Sequence, residues 1–210
     1  MFVAETPDDW CAFREATFGA PYSVWESGAD FTELRRRWAA DPSSVEAQLH
    51  QGLARRDSLA ADACGALEWS TEARERLVSA LISHLGSEPV TFHLRVAIAV
   101  AALTGEAGWT SEITRVLSGA GFWGDRLEAA VTVSKLAPDA TTIHALGAAV
   151  CDPDSLVRRQ AVVGLIGATR LAPHSTEARE SLRSVRSGTA PADWSRTANA
   201  LTEEALLAVS

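Results

Sequence analysis

Cysteine is scarce in this chain of 210 residues, and its three copies, Cys11, Cys64 and Cys151, lie far apart. Their odd number and the lack of any CxxC pair speak against a disulfide framework in a chain long enough to build a core. Basic residues are also short, with 19 against 27 acids and a formal net charge of −8. Such a balance ill suits a protein that must neutralise many phosphates, so nucleic acid is not an expected partner. The N-terminus, MFVAETPDDW, has no basic region followed by a long apolar run, which excludes the signal-peptide pattern. No stretch approaches the roughly 18 uncharged apolar residues of a membrane span. The most apolar run, Val96–Leu103, is bracketed by Arg95 and Glu106 and is expected to be a buried helix. These absences imply a cytoplasmic protein without membrane contact.

Chemical motifs are missing too. There is no HExxH, no phosphate-binding GxxxxGK[ST], and no GxGxxG set between a strand and a helix. The five histidines are scattered, and no histidine or cysteine pair has the spacing of a zinc site. Neither a metal nor an organic cofactor is expected. Period-two alternation of β-branched residues is absent, so no strand is predicted. Tyrosine occurs once, and Lys135 is the only lysine. An alanine-rich, arginine-for-lysine composition suits a bacterial genome of high GC content.

What remains is helix-forming sequence rich in alanine and leucine. Residues 1–41 are the least regular. Pro7, Asp8 and Asp9 suit the first turn of a helix running to about Phe18. A loop is expected over 19–28, then a helix capped by Asp30 with Phe31, Leu34 and Trp38 on one face. Residues 1–50 hold nine acids and four arginines. From 42 onward, helices come in pairs: 45–54 with 58–69, 71–85 with 89–103, 111–118 with 123–136, 141–150 with 155–170, and 175–186 with 193–209. Glycines close these segments, and serine, threonine, aspartate or proline open them.

The clearest pair junction is CDPDSLVRRQAVVGLIGA, Cys151–Ala168. Aligning the second helices on Arg158 places Ala60, Arg95, Arg126 and Arg196 in register, at intervals of 31 to 38 residues. Three residues on come Ala63, Ile98, Ala129, Ala161 and Asn199; seven on come Leu67, Ala102, Val133, Leu165 and Glu203. A two-helix period of this length is the pattern of an α-solenoid, with a degenerate terminal copy.

An apolar helix, an Asp-Pro-Asp turn, Val-Arg, then alanine and leucine at fixed offsets resembles the HEAT-repeat family. The resemblance is best over Asp152–Leu165, weaker over Ser58–Leu67 and Asp125–Leu136, and extends over about 42–210. It implies an all-α fold: an α-solenoid of about five HEAT-like helix pairs, with residues 1–41 as an N-terminal helical cap or appendage. It also implies that Asp154, Arg126 and Arg158 link neighbouring units. Ala60 in place of arginine, and the absence of Asp-Pro-Asp turns elsewhere, depart from the pattern.

The expected function is a non-enzymatic protein-binding module, an adaptor or immunity-type inhibitor whose concave face engages a partner with a basic surface. Trp123, Arg126, Glu128, Arg159, Trp25 and Trp38 are the expected binding residues. Some HEAT-like proteins are DNA glycosylases for alkylated bases, and that resemblance would make Asp125 catalytic beside Trp123. The extended tryptophan–aspartate signature of those enzymes is not recognisable around 122–128. Gly119–Gly124 is expected to be a tight turn with Phe122 and Trp123 packed into a repeat junction. His144 and Cys151, two helical turns or about 10 Å apart, are too distant for a direct hydrogen bond. Cys151 is expected to be a small buried apolar residue. Arg35-Arg36-Arg37 is expected to be a solvated helix face near Asp30 and Glu33.

Overall fold

A computed structural model describes residues 9–20, 29–85, 89–105, 109–169, 171–186 and 188–210. The turn expected at 86–88, Trp25 and most of the loop expected at 19–28 lie outside the described residues. Among the described residues the protein is all-α, with twelve helices and no strand. They divide into two compact units, Met1–Gly105 and Glu106–Ser210.

The first unit holds α1 (Asp9–Phe18), α2 (Thr32–Ala40), α3 (Pro42–Ala54), α4 (Ser58–Gly65), α5 (Thr71–Ile82) and α6 (Val90–Thr104). Helices α1 and α2 pack against each other and against α3, α3 packs on α4, and α6 lies against both α4 and α5. Trp10 anchors α1. Its ring is buried, and it lies so near Gly52 of α3 that a Cβ there would come within 2.8 Å of it. Asp57 gathers this corner through one carboxylate: Oδ1 accepts from the Leu59 amide and caps α4, while Oδ2 accepts from Trp10 Nε1 at 2.9 Å and pairs with Arg14 at 3.0 Å. Asp30 accepts from the Thr32 amide ahead of α2, and Glu33 binds both Arg36 and Arg37.

Helix α4 ends at Gly65, four residues before the terminus expected at Trp69. Two indoles reshape its end. Trp69 Nε1 donates to the Cys64 carbonyl, Trp38 Nε1 donates to the Glu68 carbonyl, and the two rings meet at 4.5 Å between centroids. Gly65 then permits α6 to approach, since a Cβ there would sit 3.3 Å from the Ala99 Cα.

The second unit holds α7 (Thr110–Gly119), α8 (Trp123–Val133), α9 (Ala140–Ala149), α10 (Ser155–Ala168), α11 (Thr176–Ser184) and α12 (Pro191–Val209). Helices α7 and α8 form one pair and α9 and α10 the next, with α7 against α9 and α8 against α10. Helix α12 breaks this pattern by packing on both α9 and α10, while α11 lies against α10 and α12. The starts of α9, α10 and α11 follow the expected capping chemistry. Asp139 and Thr142 form a reciprocal capping box at α9, and the Asp154 carboxylate accepts from the Leu156 and Val157 amides of α10.

The burial pattern corrects one register. In α6 the buried positions are Phe92, His93, Leu94, Val96, Ala97, Ala99, Val100 and Leu103, while Arg95 and Ile98 are half-buried and Ala102 is exposed. His93, and not Arg95, therefore holds the place that Arg158 holds in α10. Ala60, His93, Arg126 and Arg158 then recur at intervals of 33, 33 and 32 residues. Arg95 instead reaches across to Asp62 of α4 at 3.2 Å.

Candidate interaction surface

Arg126 and Arg158 make corresponding contacts. Arg126 Nη1 donates to the carbonyls of Ala120 and Gly121, six and five residues back, in the turn before its own helix. Arg158 Nη1 donates to Asp152 and Pro153, again six and five residues back. The other end of each guanidinium reaches the following turn. Arg126 makes a two-point bond with Asp152, its Nε 2.7 Å from Oδ2 and its Nη2 3.0 Å from Oδ1, whereas Arg158 Nε donates to the Val185 carbonyl. The hydrogen bonds to Asp152 raise the Arg126 pKa above the ordinary guanidinium value. Arg158 is buried, and its guanidinium carbon lies 3.8 Å from the centre of the Trp194 ring. Each arginine thus ties its own turn to the next one, and Asp152 rather than Asp154 is the linking carboxylate. Arg126 is bound into this framework.

Outside the framework, α8 and α10 leave an apolar row exposed. Phe122 is 59% exposed, Trp123 42%, Leu156 48% and Val163 44%. Phe122 and Trp123 were expected inside a repeat junction. The structure turns them outward, with their rings 5.5 Å apart and Phe122 folded over Gly124, where a Cβ would meet the ring at 2.5 Å. Gly124 is the α8 counterpart of Leu156, counting 32 residues back. Leu127 and Val131, counterparts of Arg159 and Val163, are half-buried on the same side of α8. Because α8 and α10 pack together, these equivalent positions form one face of the second unit. Arg159 is exposed there, and Glu128 is half-buried on α8.

Asp125 is buried, and it lies two positions beyond Trp123 along the helix, a rotation of about 200°. The structure therefore does not bring this carboxylate and this indole to a common pocket. Trp38 is half-buried in the first unit, its ring tilted 57° against that of Trp69, and Trp25 lies outside the described residues.

Concavities also occur among the described residues of each unit. In the first unit, Phe31, Asp62, Gly65, Arg95, Ile98 and Ala102 line most of a groove of about 420 Å³. On the second unit, two grooves of about 690 and 550 Å³ flank an exposed ridge formed by His144, Ala148 and Cys151. Cys151 is exposed, contrary to expectation, because α9 ends at Ala149 and the turn carries the thiol outward; its Sγ is 3.8 Å from Ser195 Oγ. Cys64 is the buried cysteine, and burial, aided by Asp62, pushes its thiol up to about 12. Among the described residues no group of three histidine, cysteine or acidic side chains gathers to hold a metal ion. No helix among them is long and apolar enough to cross a membrane.

Comparisons with protein-family models, with curated proteins and with solved structures gave no match to this chain.

Proposed function

We propose that this chain is a non-enzymatic protein-binding module built from about five HEAT-like helix pairs, which binds through the exposed face of α8 and α10. The observation that carries this reading is the row of Phe122, Trp123, Leu156 and Val163, four large apolar side chains held open on neighbouring helices. Contiguous apolar exposure costs solubility and marks interaction sites, and tryptophan and arginine contribute heavily to binding hot spots. Arg126 and Arg158 support the helix-pair reading, because each bonds two carbonyls of its own preceding turn and also reaches the following one. Charge is divided unequally: the sequence span Met1–Gly105 holds fifteen acids and nine bases, whereas Glu106–Ser210 holds twelve and ten. The acid excess of the first unit would speed encounter with a basic partner, and the α8–α10 face would supply the apolar contact.

The test is comparative capture of proteins from a bacterial lysate by the full chain and by its Val163→Glu variant, with identification by mass spectrometry. A specific partner should be recovered by the wild type and lost with the variant. Equal recovery by both would remove the α8–α10 face from the reading. A turnover abolished by changing one groove residue would overturn the non-enzymatic part.

A further inference from the structure

At its α11 edge, the exposed face of α10 becomes a groove of about 470 Å³ lined by Ser155, Leu156, Arg159, Leu182, Val185 and Arg186. Its volume falls within the range of about 300–1,000 Å³ typical of ligand-binding clefts. The floor is fixed, because Val185 is buried and its carbonyl is held by Arg158 Nε at 3.0 Å. Leu156 and Leu182 supply apolar walls, and no acidic side chain lines the groove. Arg115, Arg126 and Arg196 of the same unit each pair with a carboxylate. Arg159 and Arg186 are exposed and make no ion pair or side-chain hydrogen bond among the described residues. The nearest capping carboxylate in the chain, Asp154, is turned onto the Leu156 and Val157 amides. An apolar slot flanked by two uncompensated guanidinium groups is complementary to an apolar side chain flanked by carboxylates. This local charge is opposite to that of the chain as a whole.

We propose that the α10–α11 groove binds an acidic peptide segment carrying one large apolar residue, which enters between Leu156 and Leu182 while its neighbouring carboxylates meet Arg159 and Arg186. The proposal rests on the reading of the second unit as a protein-binding surface, and it names the chemistry of the segment bound at one edge. The experiment is selection of a displayed library of random dodecapeptides on the full chain, followed by fluorescence anisotropy of the enriched peptides. The expected consensus is a leucine or aromatic residue with aspartate or glutamate within a few positions on either side. The Arg159→Glu/Arg186→Glu double variant should weaken binding by about tenfold or more, since opposed charges become like charges. Its thermal melt should match the wild type. Should it not, Arg159→Gln/Arg186→Gln serves as the second variant and must show the same loss. A basic or uncharged consensus, no enrichment, or binding that survives both double variants would overturn the proposal. If the peptides fail while capture of a protein partner still depends on Val163, the groove assignment falls and the broader module stands.

Discussion

Replacing Arg158 by alanine removes a buried guanidinium that joins three chain segments. The side chain donates to the Asp152, Pro153 and Val185 carbonyls at 2.6, 2.9 and 3.0 Å and covers the Trp194 ring. A hydrogen bond to a charged group contributes about 1.5–3 kcal/mol, and a desolvated cation–π contact about 2 kcal/mol. These contacts share one group and do not add in full, so a loss of about 3–5 kcal/mol is expected, from the lost charged hydrogen bonds and the buried carbonyls left without a donor. Arg158→Lys should recover only part, because one ammonium cannot reach both the preceding turn and Val185 in the guanidinium's fork geometry. Arg159, the exposed neighbour, is the control, and Arg159→Ala should fall within about 0.5 kcal/mol of the wild type. Urea unfolding followed by circular dichroism gives the free energies, and tryptophan emission reports the surroundings of Trp194. An Arg158→Ala cost below about 1 kcal/mol, or a cost for Arg159→Ala as large as that for Arg158→Ala, would refute the assignment of Arg158 as the tie between turns.

Other outcomes follow from the same contacts. Leu165 is fully buried, and Leu165→Ala should cost about 2–5 kcal/mol by equilibrium unfolding. Gly52→Ala would press a methyl against the Trp10 ring and the Ala60 side chain, and a loss of about 1–3 kcal/mol with red-shifted tryptophan emission is expected. A thiol reagent at mildly alkaline pH should label Cys11 and Cys151 in the folded chain and Cys64 only after unfolding, as judged by mass spectrometry. Burial, with help from the nearby Arg56 charge, holds the His84 pKa below its ordinary value of 6.5. The folded chain therefore binds fewer protons at His84 than the unfolded chain, and its stability should fall as pH drops below 6.5. That slope in pH-dependent unfolding should be absent from His84→Gln.

Much of the helical framework was legible from local chemistry. The start of α10 was readable because Asp154 caps it, and the start of α4 because Asp57 precedes Ser58. The end of α4 was not, since Trp38 is brought to the Glu68 carbonyl from thirty residues away. Register in α6 failed for a related reason. Arg95 matched the arginine pattern by residue type, but α6 is apolar on most sides, so periodicity alone could not show that His93 faces inward. The exposed α8–α10 face was half visible: Trp123 and Arg159 stood out, whereas Phe122, Leu156 and Val163 looked like core residues at helical spacing. Apolar side chains carry no local sign of whether another helix will cover them. The α10–α11 groove was not visible in the sequence, because it joins Leu156 and Arg159 to Leu182 and Arg186 across an intervening turn.

The most direct measurement is hydrogen–deuterium exchange of the full chain with and without its captured partner. Amides at the N-terminal ends of α8 and α10 and across α10 should gain protection, with Phe122, Trp123 and Leu156 inside the protected peptides. Protection confined to other helices, with α8 and α10 exchanging as in the free chain, would contradict the assignment of this face as the binding surface.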